Sequence, residues 1–368
     1  MKSVVVVGAG IWGSSLALRL AETGWRVTLV EQHAPGHLRQ ASAGETRLLR
    51  CAHGHGEWYA RLAWQARTAW RALGERIGEE LYCESGVLWF AQEADGWEHA
   101  SAVVLDGLGI PHARLDPADG RRHFPDFSAA GLSFLLWEPH AGVLRARRAT
   151  QVVARLAVEA GASLVCGRAT PRGDAVSIDG DVLRADRVVW ACGAWLPGLF
   201  EALPVAVTKQ DTLHFAVPAA WRTPGTPAWV DYAASVYGHG DLDGAGMKAT
   251  SDLEGAPFDP ETGSRRVDAD SETRARDYLG RRFPALRAAP LLLGQVCQYG
   301  LTPDAEWILH EASPGVWLLG GDSGHGFKHA PALAAYVADI LDGARAPDAR
   351  FGLQPRVSSR GLRTLGRE

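Results

Sequence analysis

The chain has 368 residues, 46% of them hydrophobic and 22% charged, a balance that excludes a disordered or low-complexity protein. Its 38 basic and 42 acidic residues leave a net charge of −4, so no positive field points to nucleic acid or an anionic membrane. No apolar run of about 18 residues is free of charge, and the apolar run at residues 4–7 is too short for a signal-peptide core, so no membrane span and no leader are expected.

The first 32 residues read as one βαβ unit. Residues 3–7 form a continuous apolar strand, as expected where both faces of a parallel sheet are covered. Gly8-Ala9-Gly10-Ile11-Trp12-Gly13 is the turn, a helix follows to about Gly24, and a second strand ends at Glu31. Gly8 suits a tight turn, Gly10 a close approach to a pyrophosphate, and Gly13 close packing of helix on strand. Glu31, 23 residues beyond Gly8, stands where a carboxylate can bind an adenosine ribose. This unit serves FAD and NAD alike.

Further along, residues 57–80 read as a helix rich in Trp and Arg, and residues 81–140 as β-rich, with residues 86–90 the clearest strand. A helix and strand follow over 148–168, then a strand at 186–191 running into Cys192-Gly193-Ala194-Trp195. Residues 204–299 read as strands and loops around one helix near 271–283. A strand at 316–320 enters a glycine-rich run that ends in Lys328, and a helix spans about 332–341. The expected fold is α/β: a Rossmann-type FAD-binding domain, discontinuous over 1–80, 140–203 and 300–345, with an interleaved, mainly antiparallel β substrate domain over 81–139 and 204–299. Residues 346–368 read as a tail. The cysteines, Cys51, Cys83, Cys166, Cys192 and Cys297, are scattered and lack CxxC pairs, so neither a disulfide framework nor a metal site is expected, and the compartment is cytoplasmic. Only four of the 38 basic residues are lysines, Lys2, Lys209, Lys248 and Lys328, which singles each of them out in an arginine-rich chain.

Five separated motifs together resemble the monomeric sarcosine oxidase and N-methyltryptophan oxidase branch of the FAD-dependent amine oxidases, in the D-amino acid oxidase-like superfamily. They are the Gly8 turn with Glu31; Gly44-Glu45-Thr46-Arg47-Leu48-Leu49-Arg50; Ala191-Cys192-Gly193-Ala194-Trp195; Gly294-Gln295-Val296-Cys297-Gln298-Tyr299; and Ser323-Gly324-His325-Gly326-Phe327-Lys328. The resemblance spans most of the chain and decides for FAD over NAD. It implies cofactor contacts from Gly8, Gly10, Ile11, Trp12, Gly13, Glu31, Gln32, Ser42, Thr46, Arg47, Cys192, Gly193, Trp195, Cys297, Gly324, Gly326, Phe327 and Lys328. Cys297 stands at the cysteine that the family bonds to the flavin, so a covalent FAD is expected; the other four cysteines read as buried small hydrophobes.

Arg50 and Lys328 match the family's carboxylate-binding pair, Arg supplying a fork and Lys a point charge. Lys248 aligns with the lysine that promotes reaction with O2, Arg47 with an arginine near the ring, and Tyr237 with a pocket tyrosine. Two departures bear on the substrate: Asp252 replaces a family histidine four residues after that lysine, and His53 replaces a tyrosine. Trp229 is expected as a pocket wall. The implied catalytic set is Lys248, Arg47, Tyr237 and Asp252; the substrate set is Arg50, Lys328, Tyr237, His53 and Trp229. The implied activity is a monomeric oxidase of a secondary α-amino acid, with the small amine and O2 as its partners. The alternatives are a flavin dehydrogenase or desaturase using another acceptor, and a nucleotide-binding protein without redox chemistry.

Overall fold

The computed structural model describes residues 1–357. Two large sheets organise it. The first has six strands in the order Ile308–Ser313, Val316–Gly320, Arg187–Trp190, Ser3–Val7, Arg26–Glu31, Ser163–Cys166. All neighbours run parallel except the outermost pair, Ile308–Ser313 on Val316–Gly320. Every residue of Ser3–Val7 is buried, because helices Ile11–Glu22, Ala146–Glu159 and Ala330–Leu341 share one core with one face while a second apolar cluster, with a three-stranded meander, covers the other. At the turn, Gly8 has φ +102°, and a Cβ there would stand 2.5 Å from the Ala191 carbonyl oxygen. A Cβ on Gly13 would lie 1.9 Å from the Gly8 carbonyl oxygen, so helix and strand close up only with glycine at both places.

The second sheet has eight strands, ordered Leu291–Leu301, Ala206–Phe215, Met247–Ser251, Val236–His239, Ala228–Asp231, Val87–Ala91, Phe134–Glu138, Ala113–Leu115. It is antiparallel apart from the Ala228–Asp231 and Val87–Ala91 pair. Side chains alternate across it. One face sends Trp229, Met247 and Ala249 into an apolar core with helix Ala269–Arg282. Register puts Tyr237 opposite Thr250, His239 opposite Lys248, His214 opposite Lys248, and Gln210 opposite Cys297, so the other face is polar. A small three-stranded sheet, Thr46–Leu49 with Gly142–Arg145 and Tyr82–Cys83, carries Arg47 and leads into Arg50.

The sequence reading of 81–140 as β-rich misses one helix, Trp97–Leu108. Its valines favour a strand, but Ser101 and Leu105 fall on one buried stripe, and Gly109 ends it in the left-handed conformation. Residues of the expected tail pack onto the body: Phe351 is buried, and Arg356 donates to the Trp307 carbonyl at 2.8 Å. Residues 358–368 of that tail lie outside the described residues. No helix among the described residues is long and apolar enough to cross a membrane.

Candidate active site

A cavity of about 440 Å³ runs along the C-terminal ends of the first sheet's parallel strands. Gly8, Gly10, Ile11, Trp12, Glu31, Gln32, Ser42, Arg47, Cys192, Gly193, Trp195, Cys297, Gly324 and Phe327 line it. Gly13, Thr46, Gly326 and Lys328 stand behind that wall; Gly326 accepts from the Trp12 indole at 3.1 Å. Helix Ile11–Glu22 begins at the cavity, at Gly10, which has no side chain to cap it; the Ile11 amide donates to the Ser42 hydroxyl at 3.0 Å, and the helix's positive end faces the cavity as an anion site requires. Glu31 already accepts from Ala9 N at 2.8 Å and from Gln40 at 2.9 Å, which fixes its carboxylate at the rim. These features fit a bound dinucleotide.

The cavity has a second wall from the other sheet. Asp259, Pro260 and Glu261 line it, Glu261 accepts from the Trp195 indole at 2.8 Å, and Arg39 donates to the Glu261 carbonyl at 2.6 Å. Arg168 lies 3.7 Å from the Glu261 carboxylate. Sequence reading passed over this loop, which has no motif.

Cys297 projects into the cavity from Leu291–Leu301 and is 6% exposed. The Arg47 guanidinium lies 3.2 Å from its sulfur and also donates to the Thr46 and Ala41 carbonyls at 2.7 and 2.5 Å. Burial opposes the Arg47 charge, but Cys297, Tyr237, Tyr299 and Asp322 outweigh it and raise its pKa. Of the cysteines expected to be buried, Cys166 is exposed because it sits on an edge strand, and Cys192 is partly exposed on the cavity wall.

Lys248 is 1% exposed, with Nζ 3.5 Å from the Thr46 carbonyl and 5.0 Å from the Tyr237 ring. Burial, with Arg47 adding repulsion, pushes its pKa down to about 7. Beneath it, the His239 Nδ1–H donates to the Gly240 carbonyl at 2.6 Å, so the Thr46 hydroxyl donates to Nε2 at 2.7 Å. The Tyr237 phenol, held at about 12 chiefly by burial, hydrogen-bonds Tyr299, whose hydroxyl donates to Asp252 at 3.1 Å.

Arg50 and Lys328 come together as expected. Burial lowers the pKa of both; the Arg50 charge adds to the shift of Lys328, and Glu138 and Asp252 oppose the shift for both. Lys328 donates to the His325 carbonyl at 2.8 Å, and Arg50 lies over Trp89 at 5.0 Å. Glu138 was missed by sequence reading; it accepts from Cys51 N at 2.7 Å and the Trp89 indole at 2.7 Å, bracing the loop after Arg50. Its only signal was an acid ending an apolar strand.

One expected substrate residue, Trp229, is placed elsewhere. Trp229 pairs with Gly238, one residue out of phase with Tyr237, so it points to the opposite face. There it stacks on Tyr278 at 5.2 Å and is fully buried, a core residue rather than a pocket wall. His53 is 1% exposed; burial, then Lys328 and Arg50, hold its pKa well below the usual histidine value, and its ring lies 5.2 Å from His329.

A nucleotide cavity between two sheets, with a thiol and buried cations at one end, defines a flavin-type oxidoreductase site. The chain belongs to the FAD dependent oxidoreductase family (DAO), whose sequence profile matches residues 3–340. It is 28% identical over 356 residues to monomeric sarcosine oxidase of Streptomyces avermitilis, covering 92% of each chain. It is 26% identical to N-methyl-L-tryptophan oxidase of Yersinia pestis, covering 91% of this chain and 93% of that one. Among solved structures, NikD, described as an unusual amino acid oxidase essential for nikkomycin biosynthesis, superimposes with a TM-score of 0.79 at 25% identity, over 98% of this chain and all of that one. The cofactor is therefore FAD, and the resemblance read from the five motifs agrees with these relatives.

Proposed function

We propose that this protein is an FAD-dependent oxidase of a secondary α-amino acid, N-methylated or cyclic, with O2 as acceptor. The observation that carries this reading is a buried group of charges behind Cys297: the Arg47 guanidinium lies 3.2 Å from its sulfur, Arg47 acts on the buried Lys248, and Arg50, Lys328 and Lys248 all feel the charge of Asp252. FAD held by Gly8, Gly10, Glu31, Ser42, Arg47 and Cys297 would supply two-electron redox chemistry, by which an amine would become an imine and O2 would become H2O2.

The chain's own residues prepare the substrate. Arg50 and Lys328 hold the carboxylate, an anion that relieves two buried charges at once. Asp252, oriented by Tyr299, counters the substrate's ammonium form and offers a second amino group a partner. Tyr237, its ring 5.0 Å from Lys248 Nζ, and Tyr299, bonded to Asp252, supply the aromatic side of the proposed pocket. Two relatives are named as oxidases of N-methylated amino acids or sarcosine, which supports the substrate class. A screen of N-methyl and cyclic amino acids, followed by peroxide formation, tests the reading. Turnover with a dye acceptor but no peroxide would replace the oxidase by a dehydrogenase.

Cys297 is the proposed attachment point of the flavin. Its sulfur faces the cavity, with the Arg47 guanidinium 3.2 Å away. Acid-precipitated protein is expected to stay yellow, and Cys297→Ser to release its flavin to the supernatant. Free FAD from precipitated wild type removes the covalent bond from the proposal and leaves the rest standing.

Asp252→Asn is expected to cost diamino acid substrates roughly 1.5–3 kcal/mol, the worth of a hydrogen bond to a charged group, and to spare simple N-methyl amino acids. Comparing kcat/KM for the two classes checks it; equal losses would place Asp252 at the reacting amine. A relative named monomeric supports a monomer, measurable by sedimentation, and five free cysteines suit a reducing, cytoplasmic compartment.

A further inference from the structure

We propose that His53, His325 and His329 form a binding site for a divalent transition-metal ion of the zinc type, behind the carboxylate-binding cations. One ring nitrogen from each lies within 4.8 Å of the others, and the residues are 1%, 6% and 0% exposed. His53 comes from the loop after strand Thr46–Leu49; His325 and His329, four residues apart, come from the turn that opens helix Ala330–Leu341. The chain thus brings a distant third ligand to a local pair, which is why cysteine spacing gave no hint of a metal.

Hydrogen bonds fix two of the tautomers. The carbonyl of Cys51 only accepts, so His53 Nδ1 carries the proton that bonds it at 2.8 Å and Nε2 bears the lone pair. By the same logic His325 Nε2–H donates to the Ala305 carbonyl at 2.9 Å, leaving Nδ1 as the lone-pair atom. An imidazole N–H given to a backbone carbonyl is the outer-shell arrangement that orients metal-ligating histidines. Among the described residues, His53 Nε2 and both nitrogens of His329 have no hydrogen-bond partner. Buried polar atoms left so are costly, and a single ion satisfies His53 Nε2 and one nitrogen of His329 at once.

Three imidazoles without a hard oxygen ligand suit zinc, copper or nickel rather than magnesium or calcium. Zinc–nitrogen bonds of about 2.0–2.1 Å in a tetrahedron need ligand atoms about 3.4 Å apart, so small ring rotations must close the cluster. Aromatic rings wall it: Tyr59 lies 4.9 Å from His325, and Trp307 lies 5.1 Å from His329. Arg50 and Lys328 oppose a dication, so the ion must be held by the three imidazoles against that repulsion. The site stands on this geometry and holds whatever amine the enzyme oxidises.

The test uses purified holoenzyme, stripped with chelator and then equilibrated with Zn2+, beside protein expressed in zinc-supplemented medium. Elemental mass spectrometry is expected to find one Zn2+ per chain, and X-ray absorption three imidazole ligands. His53→Phe and His329→Phe, each checked for bound FAD, are expected to weaken binding by more than about 100-fold, beyond the loss from an outer-shell change. Absence of stoichiometric Zn2+ in both preparations, a ligand set of oxygen or sulfur, or undiminished binding in both variants overturns the proposal. If either variant fails to fold, the wild-type stoichiometry and ligand set decide alone.

Discussion

Arg50→Gln and Lys328→Met are each expected to weaken carboxylate-bearing substrates and competitive inhibitors by roughly 2–5 kcal/mol, about 30- to 5,000-fold, as when one partner of a buried charge pair is truncated. Both cations are enclosed, and burial already works against their charge, so the loss is not screened as a surface pair would be. Uncharged amines of the same shape are expected to lose little. Inhibition constants for a matched set of acids and their amides, measured in both variants, check this. Should neither variant alter carboxylate affinity, the substrate is an amine without a carboxylate.

Lys248→Met is expected to slow reoxidation of the reduced enzyme by O2 about 10²- to 10³-fold, the cost of removing one preorganised charge-stabilising group. Reduction by substrate under anaerobic conditions is expected to change far less. The wild type also acquires a pH signature. Its Lys248 pKa is depressed to about 7, so the amine is charged below that value and neutral above it. Reoxidation is expected to be fast in acid and to decline as pH rises through about 7, and the methionine variant to lose this limb. Stopped-flow reoxidation across the pH range tests both statements; equal losses in the two half-reactions would make Lys248 a packing residue instead.

The nucleotide half of the fold was legible because its constraints are local. Gly13 answers a backbone clash with Gly8, close by in the chain, and the strand at Ser3–Val7 carries its double burial in its own composition. Cys297, Lys248 and Tyr237 were legible only through the resemblance, yet the structure supplies the physical reason they meet. Each sits on the polar phase of its strand, and register aligns the phases across the sheet. Trp229 went astray for the same reason: nearness to Tyr237 in sequence says nothing about phase, and the single-residue offset turns it into the core. Helix Trp97–Leu108 was hidden by its valines, whose β preference yields here to a buried stripe and a glycine stop. Glu138 and the histidine cluster depend on contacts spanning long stretches of chain, which no spacing rule encodes.

The loop bearing Asp259, Pro260 and Glu261 leaves the eight-stranded sheet, yet Arg39, Arg168 and Trp195 of the nucleotide side grip it. A dinucleotide in that cavity would touch groups carried by both sheets. A flavin seated between the two sheets is therefore expected to stabilise both together. A cell short of riboflavin is expected to hold less of the protein, through proteolysis of the unclasped form, and not merely a fainter yellow of the same amount.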